Sequence, residues 1–291
     1  MLQRLTVVLV VTATLSVAGV LGGCSFDSPK LRSAPPVSTG PLPTTTVAPG
    51  PEQPSTAPVT LPGGATVSTT APPVTTLPGC HTTETPAPAA ITKVATATDA
   101  LQQVPVYDTA TAPTPCERLP NPDPELKHPP VLVVLQAQGD RLQVMLPTRP
   151  NNSVGWVTAR DVAVTTTNFQ VKVSLGGHRV QVFKGTEKVV DTPAGVGTGD
   201  TPTPPGVYFI VGLLKPTNRG YGPYAYALSA HSDKLETFAG GDGRIGLHGT
   251  DDPSSIGKNV SHGCIRIPND VISNMAEHIG LPLGTPVIVT A

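Results

Sequence analysis

From Asp27 to about Ala90 the chain is made almost entirely of Pro, Thr, Ser, Ala, Val and Gly, with charges only at Asp27, Lys30, Arg32, Glu52 and Glu84. So few large apolar side chains cannot offset the entropy of ordering the backbone, and the stretch is expected to be a disordered, partly polyproline-II tether. The 291-residue chain must therefore build its core from the residues after Ala90. Aromatic residues are only 4% of the sequence, so that core has to rest on Val, Leu and Ile.

Ahead of the tether, Met1-Leu2-Gln3-Arg4 leads into an apolar run that ends in Leu21-Gly22-Gly23-Cys24. One basic residue, an apolar segment and small residues before a cysteine are the layout of a secretory signal. The ending resembles the bacterial lipobox, which implies cleavage after residue 23 and a lipidated Cys24 at the mature N-terminus. An ordinary signal peptide and an uncleaved anchor are the alternatives, and all three place the remainder outside the cytoplasm. The expected location is the cell envelope, on the outer face of the cytoplasmic membrane and held there by the lipid. In an oxidising compartment Cys80 and Cys116 form a candidate disulfide that leaves Cys264 free, against the alternative of two unpaired thiols. A net charge of −1 with no long basic run gives no reason to expect a nucleic-acid partner.

Residues 91–165 change character. Pro130 to Leu135, Arg141 to Pro147 and Gly155-Trp156-Val157 are short β-rich runs separated by Gly139-Asp140 and Pro150-Asn151-Asn152, which predicts a small barrel. In 166–291, strands are expected at Gln170 to Leu175, Arg179 to Lys184, Lys188 to Asp191 and Gly206 to Val211, with Val287 to Thr290 closing the sheet. One helix is expected after residue 268, capped by Asn269 or Asp270, with Val271, Ile272, Met275 and Ile279 on one face and Gly280 at its end. The long stretch from Tyr221 to Gly243 is rich in turn formers and reads as a substrate-facing lid.

Chemistry concentrates in Gly246-Leu247-His248-Gly249 and Ser261-His262-Gly263-Cys264-Ile265-Arg266. A thiol becomes a strong nucleophile when a histidine takes its proton, and glycines let backbone amides approach a developing oxyanion. The pattern points to acyl transfer through a thioester. His262 either assists the thiol or shapes the turn that presents it. Arg266 either receives a substrate carboxylate or pairs with Asp251 or Asp252. The spacing of Cys and His suits no metal site, and none is expected.

At these residues the chain resembles the L,D-transpeptidase (YkuD-like) family of bacterial cell walls, whose signature is an H-G element followed by S-H-G-C-x-R. The resemblance runs from about Phe169 to Val289 and includes Thr203-Pro204-Pro205-Gly206. It implies a mostly β protein: a β-sandwich catalytic domain at 166–291 with one or two short helices. A small SH3-like β domain at 91–165, a disordered linker at 24–90 and a signal peptide at 1–23 precede it. Residue by residue, it implies Cys264 as nucleophile, His248 as the proton donor and acceptor and His262 as an accessory. Gly249, Ser261, Gly263, Arg266, Asn269 and Tyr224 are the candidates for substrate or oxyanion contact.

The implied activity is a cysteine acyltransferase that forms 3→3 cross-links between peptidoglycan stem peptides. No cofactor is implied, and carbapenem β-lactams are the expected inhibitors. The alternatives are a carboxypeptidase acting on stem tetrapeptides and a non-catalytic wall-binding lipoprotein. The SH3-like region reads either as a wall-binding or substrate-orienting module or as a packing spacer with Trp156 in its core.

Overall fold

The computed structural model describes residues 82–83, 89–238 and 240–291. The expected signal peptide, Cys24, most of the tether and Cys80 lie outside the described residues.

The first part of the fold is a six-stranded sheet with a two-stranded ladder beside it. In chain order the strands are β1 (Thr82–Thr83), β2 (Thr92–Ala97), β3 (Gln103–Val106), β4 (Glu117–Pro120), β5 (Val131–Gln138), β6 (Arg141–Met145), β7 (Ser153–Thr158) and β8 (Val162–Thr167). The sheet runs β1-β7-β6-β5-β2-β8, and β3 pairs with β4 apart from it. Gly139 turns β5 into β6 with φ 58°, a conformation that costs glycine little. Every residue of β7 is buried because β3 crosses it closely: a Cβ on Gly155 would lie 2.5 Å from Val106 Cγ1. Trp156 is buried, as expected of a core residue, and exchanges backbone hydrogen bonds of 2.8 Å with Tyr107. Cys116 is in a disulfide, and Cys80, the partner expected for it, is outside the described residues.

The second sheet carries the motif. Its strands are β9 (Phe169–Ser174), β10 (Arg179–Lys184), β11 (Glu187–Pro193), β13 (Gly206–Leu214), β14 (Ala225–His231), β15 (Arg244–His248), β17 (Ile265–Arg266) and β18 (Pro286–Thr290). A short parallel pair, β12 (Val196–Gly197) with β16 (Asn259–Ser261), stands beside it. The order is β11-β10-β9-β18-β13-β14-β15-β17. The last strand does not close an edge, as its terminal position suggested; β18 fills the centre, parallel to β9 and antiparallel to β13. That placement fits its burial, since Val287 and Val289 point into the same core as Val171 and Val173.

The stretch from Tyr221 to Gly243 is not one loop. Its middle is β14, buried along its whole length, because Ala225-Tyr226-Ala227-Leu228-Ser229-Ala230 can cover both faces of a central strand without alternating. The flanking glycines and prolines hid it.

After β17 comes α1 (Asn269–Asn274), continued by a π-helical turn at Met275–Ile279 and stopped by Gly280 in the left-handed region. Neither Asn269 nor Asp270 caps it. Pro268 holds the cap position, and the Asn269 side chain accepts instead from the Thr250 amide at 2.8 Å. Ile272 and Met275 are fully buried, each worth roughly 2 kcal/mol of apolar transfer.

The two sheets share a small core of their own. Val133 and Met145 from the first, with Leu126 from the β4–β5 connection, pack with Val207, Phe209, Val211 and Ala227 from the second. Gly284 presses the same boundary, with no room for a Cβ against Val94. An apolar seam of this kind fixes the first sheet relative to the second.

Candidate active site

His248 ends β15 and Cys264 immediately precedes β17. These two strands pair in parallel, Leu247 opposite Ile265 and His248 opposite Arg266, so the sheet brings together residues that are sixteen apart in sequence. Both line one cavity of about 400 Å³, with Tyr221, Ala227, Phe238, Gly241, Gly243, Arg244 and Gly246. Glu125 and Leu126 of the first sheet's half also reach this wall.

His248 is 3% exposed. Its Nδ1 lies 2.5 Å from the Gly249 carbonyl, which can only accept, so Nδ1 carries the hydrogen and Nε2 keeps a lone pair. Burial lowers the imidazole pKa to about 4; the bond to Gly249 works against this and the Arg266 charge adds to it. The Tyr221 ring packs on the imidazole with centroids 4.6 Å apart.

The Cys264 sulfur accepts the Gly246 amide at 3.4 Å. Burial pushes the thiol above its ordinary range, while the Gly246 N–H and the Arg266 charge pull it back. The resting pair is thus a neutral thiol and a neutral imidazole. Transfer of the proton belongs with attack on a substrate, as in general-base catalysis.

The turn bearing Cys264 is braced from several sides. Ser261 Oγ donates to the Cys264 carbonyl at 2.6 Å and accepts the Gly263 amide at 3.1 Å. Thr203, from the Thr-Pro-Pro-Gly stretch, donates to the Gly263 carbonyl at 2.8 Å. Gly263 has φ 117° and no room for a Cβ against Ile245. Two expectations change here. The Gly263 N–H is taken up by Ser261 and does not serve an oxyanion, and Ser261 acts on the backbone of the turn. The amides of Gly263's neighbours in the turn, His262 and Cys264, are the remaining candidates for the oxyanion.

The other expected residues separate by position. Gly249 orients His248 through its carbonyl. His262 is exposed and stacks on Phe238 at 5.2 Å. Tyr224 does not line the cavity: its hydroxyl donates to Glu277 at 2.6 Å, and Tyr221 holds the place against the imidazole. Asn269 braces Thr250 rather than facing substrate. Arg266 forms no ion pair with Asp251 or Asp252 among the described residues, although its charge helps lower the Asp252 pKa. It acts on both Cys264 and His248 through its field.

His231, inside the stretch read as a lid, is the buried last residue of β14, with Nε2 3.0 Å from Asp242. Burial alone would raise the Asp242 pKa, but the bond from His231 and the Arg244 charge hold it at about 2. Among the described residues no group of three or more His, Cys, Asp or Glu side chains gathers as a metal site.

Tyr221 and Phe238 fall inside the stretch read as substrate-facing and do line the cavity, though neither is singled out by the sequence reading, and Glu125 escaped it altogether. Tyr221 could have been found, since it opens the Tyr-Gly-Pro-Tyr run, but nothing local marks Glu125.

A thiol and a neutral imidazole thus line one cavity of a mostly β domain. The family model for the L,D-transpeptidase catalytic domain matches residues 168–289. The putative L,D-transpeptidase YkuD of Bacillus licheniformis is 31% identical over 155 residues, covering 51% of this chain and 86% of that protein. The chain belongs to the L,D-transpeptidase family.

Among solved structures, an L,D-transpeptidase from Xylanimonas cellulosilytica is 19% identical with a TM-score of 0.32, covering 42% of this chain and 60% of that one. The LD transpeptidase LdtMt1 in complex with imipenem is 20% identical with a TM-score of 0.35, covering 55% and 91%. Family membership rests on the family match and the Bacillus relative alone.

Proposed function

We propose that this protein is a peptidoglycan L,D-transpeptidase that forms 3→3 cross-links through an acyl-enzyme on Cys264. The observation that carries the reading is the pairing of Cys264 with His248 in one cavity, the imidazole oriented by Gly249 so that Nε2 can accept a proton. Nε2 takes the thiol proton as Sγ attacks the carbonyl at the L-centre of the third stem residue. The amide bond to the terminal D-Ala breaks, His248 returns the proton to the departing amine, and a thioester remains. A side-chain amine from a second stem attacks the thioester and gives its proton to Nε2. The C–S bond breaks and the thiol is restored. Amides of the turn at His262 and Cys264 face the developing oxyanion.

The same reading places the enzyme on the outer face of the cytoplasmic membrane, tethered by a lipid on Cys24. Support for that comes from the Leu21-Gly22-Gly23-Cys24 run. Carbapenems are the inhibitors the reading favours, because a strained β-lactam carbonyl offers Sγ an acyl group that it can hold as a thioester.

The test is incubation of the purified protein with stem tetrapeptides, with products identified by mass spectrometry. A cross-linked product formed with loss of D-Ala is expected, together with an imipenem adduct that Cys264→Ala abolishes. Free tripeptide alone would replace the transferase by a carboxypeptidase. Absence of any covalent adduct would leave a non-catalytic wall-binding protein.

A further inference from the structure

The connection between β14 and β15, residues 232–243, contributes Phe238, Gly241 and Gly243 to the wall of the Cys264 cavity, and Phe238 covers His262. At its start the Ser232 hydroxyl accepts the Lys234 and Leu235 amides at 3.2 and 3.1 Å. Among its described residues the backbone–backbone bonds within it are the Phe238 and Gly241 exchange at 2.9 and 3.1 Å and the closing bond from Ser232 to Gly243 at 2.9 Å.

His231 and Arg244 hold its Asp242 side chain, and further bonds reach it from the other sheet. In the loop between β6 and β7, the Arg149 guanidinium donates to three carbonyls of this connection: Ser232 at 2.7 Å, Leu235 at 2.9 Å and Asp242 at 2.8 Å. One planar side chain thereby ties the start of the connection to its end, a task that suits the fixed fork of arginine donors. Two residues on, the Asn151 side chain pairs with the peptide groups of His231, accepting its N–H at 2.8 Å and donating to its carbonyl at 2.7 Å. It also reaches Asp233 at 3.1 Å.

Glu125 adds an ion pair to Arg244 at 3.3 Å, at the point where the connection enters β15. Gly243 shows how closely the guanidinium is seated: with φ 75°, its Cβ would fall 2.8 Å from Arg149 Nη2 and would overlap the Leu235 carbonyl.

We propose that Arg149 and Asn151 are positioning residues for acylation: the β6–β7 loop of the N-terminal sheet sets the cavity wall at residues 232–243 against which substrate is aligned over Cys264. This rests on the acyl-transfer reading above. The first sheet is then a working part of the active site. A wall held by carbonyl-directed bonds from a separate sheet fixes substrate orientation without touching the nucleophile, and misplacement by about 1 Å can cost on the order of 100-fold in rate.

The experiment compares wild type with Arg149→Ala, Arg149→Lys and Asn151→Ala. Three readouts are taken: amide hydrogen exchange across residues 232–243, alkylation of Cys264 by iodoacetamide, and acylation by imipenem and by a stem tetrapeptide. Iodoacetamide is small and needs no alignment, so its rate reports the thiol alone.

Arg149→Ala and Asn151→Ala are expected to speed exchange in 232–243 and leave alkylation within about twofold. They should raise the tetrapeptide KM and lower acylation kcat/KM by about tenfold or more. Arg149→Lys should recover little, because one ammonium cannot span carbonyls at both ends of the connection. If Arg149→Ala fails to fold, Asn151→Ala carries the same comparison.

Faster exchange with unchanged acylation would make the contact merely structural and overturn the proposal. An equal fall in alkylation and acylation would overturn it too, by showing damage at the thiol. Should wild type itself show no acylation, the acyl-transfer reading fails, and the exchange measurement still decides whether Arg149 and Asn151 order this wall.

Discussion

His248 Nδ1 donates to the carbonyl of Gly249, the very next residue, at 2.5 Å. A side chain that turns back onto its own backbone needs no third residue to fix its tautomer. The orientation of the base is built into β15 itself, and Nε2 is left as its only acceptor.

With the imidazole lowered to about 4 by burial, it is already neutral across the neutral range. Acylation kcat/KM should therefore stay level as pH falls from 7 and decline only as pH passes through about 4, rather than near 6.5. Single-turnover acylation by imipenem against pH checks this. A limb near 6.5 would show that His248 is not the buried base described here. His262→Ala should leave the limb where it is.

The same lowering carries a stability consequence. The unfolded histidine binds a proton near pH 6.5 and the folded one near pH 4, so the unfolded chain holds more protons in between, and stability is lost as pH falls across that window. A shift of this size is worth roughly 3 kcal/mol at most. Asp242 and Asp191, held at about 2, add their losses only at lower pH. Denaturant melts at pH 7 and pH 5 should therefore differ in wild type and differ less in His248→Gln.

Arg266 lowers the pKa of both Cys264 and His248. Replacing it with Gln should let both rise: thiol alkylation should need higher pH, and the acid limb of acylation should move up toward 6.5. Parallel pH profiles of iodoacetamide alkylation and imipenem acylation measure the two shifts. Superimposable wild-type and variant profiles would mean that the field of Arg266 does not reach the pair.

Tyr221 and Tyr224 should behave oppositely. Tyr221→Ala removes the ring packed on His248 and should slow acylation by up to about tenfold with little effect on melting. Tyr224→Phe removes the bond to Glu277 and should cost about 1 kcal/mol of stability with acylation unchanged. Reversal of the two results would restore Tyr224 as the site tyrosine.

Gly263→Ala places a side chain at φ 117° and 2.9 Å from Ile245 Cδ1. It should cost about 1–3 kcal/mol in strain and misplace the turn, lowering acylation and alkylation together. Equal rates in wild type and variant would show that the turn tolerates the change.

Read alone, the sequence singles out candidates by residue type: the thiol, the histidine that precedes it and the glycine turn between Ser261 and Ile265. It also marked β9, β10 and β13, whose Val-rich runs are bounded by Gly and Pro, since alternation and turn residues are local signals. The strand β14 was hidden because a central strand buried on both faces does not alternate, and its Ala and Ser residues carry little hydrophobic signal. The central place of β18 was hidden because strand order depends on which faces find each other, which no local run records.

The site divides in the same way. Side-chain identity singled out His248 and Cys264, but only the parallel pairing of β15 with β17 sets them in one cavity. Only the apolar seam between the two sheets brings Arg149, Asn151 and Glu125 to its wall. Arg149 and Asn151 reach residues eighty or more positions away through hydrogen bonds to backbone carbonyls. A backbone carbonyl is the same group in every residue, so the sequence carries no mark of which ones Arg149 will meet.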